Sequence, residues 1–193
     1  MQSKRLQKGD FRMNKKRGID MTITNDYIAL TKELNITEKS LLRKALLKAL
    51  KENNKDFFYN CVDYIGKAWH VNRTVESKEK DDFIESLWNR RAEIESGIYE
   101  WNKSEYEAYS YESKVCFLIN PVHYKLIYDS QNRLALKAMY PDLKNTAFSK
   151  DNWQTLVDDY YSQKLKFSPK DTEADITRIF TEDFNLWFKN EQE

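Results

Sequence analysis

Glycine and proline are scarce in this chain, with four and three residues among 193. All-β folds need many tight turns, and these two residues supply much of the backbone geometry that such turns require. The scarcity therefore favours long helices. Hydrophobic residues make up 40% of the chain, and a domain of this length buries roughly two-thirds of its unfolded surface. We predict an all-α fold, with a single globular multi-helix domain over residues 21–193.

Long apolar runs and a disulfide framework are also missing. The longest strictly apolar run, residues 115–119, is too short to cross a bilayer, and no apolar stretch typical of a secretory signal follows the N-terminal charges. Cys61 and Cys116 stand in apolar or aromatic surroundings, which predicts buried thiols in a reducing compartment, with a bridge between them as the alternative. We therefore predict a cytoplasmic protein with no membrane partner.

Motifs for nucleotide, metal and hydrolase chemistry are absent as well. The glycines form neither a P-loop nor a dinucleotide-binding turn. His70 and His123 lack neighbouring cysteines or carboxylates at metal-ligand spacing, so we predict no metal site and no cofactor. Residues 112–114, Glu-Ser-Lys, match the end of a restriction-nuclease pattern, with Asp81 or Asp82 as a metal partner. That pattern needs a core strand, and residues 76–78 repeat the same triplet.

Basic residues dominate the N-terminus: residues 1–20 hold seven lysines and arginines besides two aspartates. We predict that this segment is a flexible, disordered basic arm. It would gain counterion-release free energy on a polyanion such as DNA, RNA or an acidic protein partner. The alternative is that the folded domain begins at Met21 and the preceding residues lie upstream of the native start.

Apolar residues at helical spacing indicate where the helices lie. Thr37 would cap a helix reaching Leu50, a second helix would begin near Asp56, and a long helix would span residues 78–101. Further helices would start near Ser149 and Ser168, and residues 125–128 would form a short extended piece. The C-terminal acidic residues are predicted to form a solvated surface, and they are Asp158, Asp159, Asp171, Glu173, Asp175, Glu182 and Asp183.

Residues 111–136 have a distinctive order of elements. An apolar run at residues 115–119 would bury one helix, Leu126 and Ile127 would anchor a crossing, and Asp129 or Ser130 would cap the next helix. This order would let Lys114 and Asp129 face each other.

This arrangement resembles the catalytic stretch of the helix-hairpin-helix (HhH-GPD) DNA glycosylases, the base-excision repair enzymes in which a helix bearing lysine leads through an extended crossing to an aspartate at a helix start. The resemblance implies that Lys114 attacks the anomeric carbon of the sugar and that Asp129 assists it and stabilises positive charge there. The family has a glycine-containing hairpin before the lysine, whereas residues 104–113 contain no glycine.

Other residues would complete a DNA-binding surface. Arg90, Arg91 and Arg133 are candidates to grip phosphate, and Tyr109 and Tyr111 are candidates to stack on bases. The alternative is a non-catalytic helical interaction protein, of the kind carried by phages or mobile elements, that binds protein or nucleic acid through its basic arm and aromatic surface.

Overall fold

The computed structural model describes residues 21–71, 75 and 79–189. Within these residues the chain is helical and contains no strand, which confirms the predicted all-α class. The predicted basic arm, residues 1–20, lies outside the described residues. The α-helices are α1 (Met21–Lys51), α2 (Lys55–Ala68), α3 (Lys80–Asn89), α4 (Arg91–Ser96), α5 (Tyr109–Ile119), α6 (Pro121–Tyr124), α7 (Ser130–Met139), α8 (Trp153–Asp159) and α9 (Glu173–Lys189). In this described part, none of the helices combines the length and apolar character needed to cross a membrane.

The first helix is longer than predicted. α1 begins at Met21, so Thr37 lies inside the helix and does not cap it. The predicted start was wrong because no glycine or proline interrupts residues 21–51, so the helix continues through Thr37. A residue that favours capping does not by itself fix where a helix begins. The second helix is confirmed, since Asn54 caps α2 by accepting a hydrogen bond of 2.9 Å from the N–H of Phe57.

The long helix predicted over residues 78–101 is wrong. α3 ends at Asn89, and the short α4 ends at Ser96, just before Gly97, whose φ of 78° lies in the left-handed region. That conformation suits glycine and ends the helix. Beyond Gly97 the predicted inward stripe holds only in part: Trp101 is buried, whereas Ile98 is 69% exposed.

Helix α5 forms the centre of the core, because every residue from Tyr111 to Ile119 is buried. The Tyr111 hydroxyl donates a hydrogen bond of 2.6 Å to the carbonyl oxygen of Val62 in α2. Gly66 makes this approach possible, since a Cβ atom there would overlap the end of the Tyr111 ring. Cys61 and Cys116 are both buried and free, as predicted. The Tyr111 hydrogen bond and the small Gly66 thus allow α5 and α2 to pack closely.

The crossing after α5 is compact and irregular. Leu126 and Ile127 are buried, as predicted, but the backbone there forms no strand. Asp129 caps α7 by accepting a hydrogen bond of 2.9 Å from the N–H of Asn132. Helix α9 packs against α1 and α7, and this packing buries Asp183, which was wrongly assigned to the solvated acidic surface.

Candidate active site

A cleft of about 610 Å³ opens where α1, α5, α7, α9 and the end of α2 approach one another. Five charged side chains line it, namely Lys39, Lys114, Asp129, Arg133 and Asp183. Volumes of this size are typical of sites that hold small organic groups. The cleft therefore combines enough room for a small organic group with several charged side chains.

Lys114 projects from the middle of α5 into this cleft. Its Nζ lies 3.1 Å from Oγ of Ser110, one turn earlier on the same helix, and 3.6 Å from Oδ2 of Asp129. The side chain is only 8% exposed, so the amine does not extend into bulk water as surface lysines do. The structure thus brings together the two residues singled out from the sequence.

Asp129 is held in place by the cap that it makes. One carboxylate oxygen, Oδ1, accepts the hydrogen bond from the N–H of Asn132, and the other, Oδ2, faces Lys114. A helix N-terminus stabilises a negative charge at this position. The same side chain therefore closes the start of α7 and supplies the carboxylate of the cleft.

Burial shifts the protonation of both groups. It lowers the pKa of the Lys114 amine, and the carboxylates of Asp129 and Asp183 oppose that shift in part. It raises the pKa of the Asp129 carboxyl, and the Lys114 ammonium opposes that shift in part. Both changes favour the neutral forms, so a proton is shared between amine and carboxylate on more equal terms than in water. A neutral amine is a nucleophile, whereas an ammonium is not.

A second ion pair lies at the back of the cleft. Nζ of Lys39 is 2.7 Å from Oδ2 of Asp183, and the two side chains are 5% and 4% exposed. Sequence reasoning missed this pair. The signal was present, since Lys39 shares the inward face of α1 with Leu42 and Leu46, and Asp183 lies three residues after the buried Phe180. A charged residue on the apolar face of a helix indicates a buried ion pair.

The rim of the cleft is aromatic and carries one arginine. Trp69, Tyr128 and Trp187 line it, each partly exposed. The guanidinium of Arg133 lies 5.2 Å from the centre of the Tyr128 ring, and its Nε donates a hydrogen bond of 3.1 Å to the carbonyl oxygen of Phe148. Among the described residues the terminal nitrogens of Arg133 have no hydrogen-bond partner, so they can receive an anion.

The other residues predicted to bind nucleic acid lie outside the cleft lining. Arg90 pairs with Glu93 and stacks on Tyr99, and the guanidinium of Arg91 lies 4.3 Å from the centre of the Trp88 ring. The hydroxyl of Tyr109 accepts a hydrogen bond of 2.8 Å from Nζ of Lys150.

Tyr111 is fully buried, with its hydroxyl bonded to α2, so it presents no ring face to a base. This placement corrects the stacking role predicted for Tyr111.

The nuclease-like triplet is not placed as that pattern requires. Residues 112–114 lie on α5 and not on a strand, and Glu112 is fully buried. The hydroxyl of Tyr99 donates a hydrogen bond of 2.8 Å to Oε2 of Glu112. No group of three or more potential metal ligands occurs in residues 21–71, 75 and 79–189.

Comparison of the chain with protein-family models, with curated proteins and with solved structures finds no match.

Proposed function

We propose that this protein cleaves N-glycosidic bonds in DNA, with Lys114 as the nucleophile and Asp129 as its electrostatic and proton-accepting partner. One observation carries the proposal: a buried amine and a carboxylate lie 3.6 Å apart in a cleft of about 610 Å³. The order of elements from α5 through the crossing to the capped start of α7 supports it, because the same order occurs in the glycosylases that the sequence resembles.

The chemistry would begin with the neutral amine. Nζ of Lys114 attacks the anomeric carbon, the bond from that carbon to the base nitrogen breaks, and the base leaves with the bonding electrons and takes up a proton from water. Positive charge develops on the sugar, and the Asp129 carboxylate stabilises it in a site of low dielectric constant. One proton of the attacking amine passes to Asp129. The sugar ring then opens as its C–O bond breaks and the remaining N–H proton moves to the ring oxygen, which leaves an imine linkage to Lys114.

The rim of the cleft supplies contacts suited to DNA. Trp69 and Trp187 offer aromatic surfaces on which a displaced base can stack, and the terminal nitrogens of Arg133 can bind a backbone phosphate. The lysines and arginines of residues 1–20 would strengthen binding to the same polyanion.

The decisive experiment is reduction with borohydride in the presence of duplex DNA that contains an abasic site. We expect a covalent adduct with the unaltered protein, loss of that adduct in Lys114→Ala, and full retention in Lys103→Ala, which removes an exposed lysine. Release of damaged bases from a substrate panel is measured in parallel. The absence of both adduct and base release would overturn the proposal, and an undiminished adduct in Lys114→Ala would place the nucleophile elsewhere.

A second candidate function is supported by an apolar surface on α1. Tyr27, Leu30, Leu34 and Leu41 are exposed along one side of α1, and Leu34 and Leu41 border a groove shared with Tyr64. Contiguous exposed apolar side chains are typical of interaction surfaces. They favour the alternative of a non-catalytic interaction protein.

Salt-dependent binding of labelled DNA separates the two functions, using the full chain and a variant without residues 1–20. If that truncation leaves the helical fold intact but removes both binding and its salt dependence, and no adduct forms with either protein, the interaction role is favoured over cleavage.

A further inference from the structure

We propose that Asp183 and Lys39 form a positioning pair that orients the Lys114–Asp129 site through Asn132. The inference rests on the proposed function for what the site does, but its geometry and its test stand apart from DNA cleavage. Neither residue is required to touch a substrate.

A continuous set of hydrogen bonds joins the pair to the site. Oδ1 of Asp183 accepts bonds from Nδ2 of Asn132 at 2.8 Å and from the N–H of Ile127 at 3.2 Å. Asn132 also donates its backbone N–H to Asp129 at 2.9 Å and a side-chain N–H to the carbonyl oxygen of Ile127 at 3.0 Å. The carboxylate on α9 therefore holds both the crossing and the residue that Asp129 caps.

Lys39 gives this carboxylate its counter-ion from a third element. Its Nζ approaches Oδ2 of Asp183, the oxygen that Asn132 and Ile127 do not use. Both carboxylate oxygens of Asp183 are thus engaged, by donors from α1, α7 and the crossing. Movement of any one of these would change the position of Asp129 relative to Lys114.

The energetic cost of burying Lys39 and Asp183 indicates that the pair does more than hold two helices together. Removing two charges from water is expensive, and a buried ion pair can often be replaced by apolar residues without loss of stability. The same two helices already share an exposed pair, Lys44 and Glu173, whose charged atoms lie 3.6 Å apart. A buried pair beside a cleft is better explained by the orientation and charge that it supplies there.

The pair also acts on Lys114 through its charges. The charged groups that face Lys114 are Asp129 at the start of α7, Asp183 on α9 and Lys39 on α1, while His70 and Arg133 stand at the rim. Asp183 raises the pKa of Lys114 and Lys39 lowers it, the former effect being the larger. Removal of the carboxylate and removal of the ammonium must therefore shift Lys114 in opposite directions.

The test is the pH dependence of acylation of Lys114 by acetic anhydride, followed by peptide mass spectrometry. The rate follows the neutral fraction of the amine, so the midpoint of the profile reports its titration. We expect the midpoint to fall by roughly 0.5 to 1 pH unit in Asp183→Asn, which at a fixed pH below the midpoint makes acylation roughly 3- to 10-fold faster. In Lys39→Met the midpoint should rise, by a smaller amount. Lys39→Gln, which can still donate to Asp183, should shift it as Lys39→Met does.

Two control variants and three outcomes decide whether the pair acts on Lys114. Lys44→Met and Glu173→Gln, which break the exposed pair between the same helices, should leave the Lys114 midpoint unchanged. Lower melting temperatures in Asp183→Asn and Lys39→Gln with an unmoved midpoint would overturn the inference and leave only a structural role. Opposite shifts with neither a DNA adduct nor base release would support the positioning pair and refute cleavage. An adduct without any shift would support cleavage and refute the positioning pair.

Discussion

Substitution of Asp129 by asparagine and by alanine should separate the capping role of this side chain from its charge. Asparagine keeps an oxygen that can accept the hydrogen bond from the N–H of Asn132, whereas alanine leaves that donor without its partner. Loss of an N-cap costs roughly 1 kcal/mol, which lowers the melting temperature of a domain this size by roughly 2–4 °C. We expect Asp129→Ala to unfold at a temperature lower by about this amount than Asp129→Asn.

The charge should have a smaller effect on stability. Burial disfavours the Asp129 carboxylate, as its raised pKa indicates, so asparagine removes a desolvation cost as well as the ion pair with Lys114. These changes oppose each other, and Asp129→Asn should remain within about 1 kcal/mol of the unaltered protein.

The charge should matter far more for chemistry. Without the carboxylate, cleavage of an intact glycosidic bond should fall by about 100- to 1,000-fold, as for loss of a preorganised electrostatic group. Reaction of Lys114 with a preformed abasic aldehyde should be as fast or faster near neutral pH, because Asp129 no longer favours the protonated amine.

Thermal unfolding followed by circular dichroism, base release and borohydride trapping together check this series. Equal melting temperatures for Asp129→Asn and Asp129→Ala would refute the capping contribution. Undiminished base release by Asp129→Asn would refute the electrostatic role, even if Lys114 proved to be the nucleophile.

Three further predictions address the core and the rim. Gly66→Ala should lower the free energy of unfolding by about 1–3 kcal/mol, since the added methyl overlaps Tyr111. In urea denaturation, the double variant with Tyr111→Phe should lose less stability than the sum of the two single losses. Burial raises the pKa of Glu112, so the protein loses stability as pH rises through that pKa. Measured by guanidinium unfolding, the stability of Glu112→Gln should equal that of the unaltered protein near pH ~4 and exceed it at pH ~7. Arg133→Gln should reduce the slope of log affinity for DNA against log salt by about 1, whereas Arg91→Gln, outside the cleft, should leave it unchanged.

Local signals predicted a good part of the fold. The scarcity of glycine and proline indicated helices, and the apolar positions after Asp56 located α2 within a residue. The pattern around Asp129 predicted both its cap and its approach to Lys114, because a capped helix after a short buried crossing leaves few arrangements for the chain.

Features that depend on distant contacts were not predictable in this way. Periodicity could not reveal that a helix ends just before Gly97, because the apolar spacing continues past a point where only the backbone conformation changes. It likewise could not show that Arg133 reaches the cleft rim whereas Arg90 and Arg91 pack against their own neighbours, since all three look alike as isolated cations.

By itself, the sequence determined that this chain builds helices around an apolar core and that an amine and a carboxylate flank one crossing, because such features follow from residues close together along the chain. Only the tertiary structure decided which charges are buried. Lys39 and Asp183 are 144 residues apart, and their pairing depends on how α1 and α9 pack together. Packing sets the distances between atoms and the solvent around them, and those two quantities control whether a lysine is a surface cation or a nucleophile.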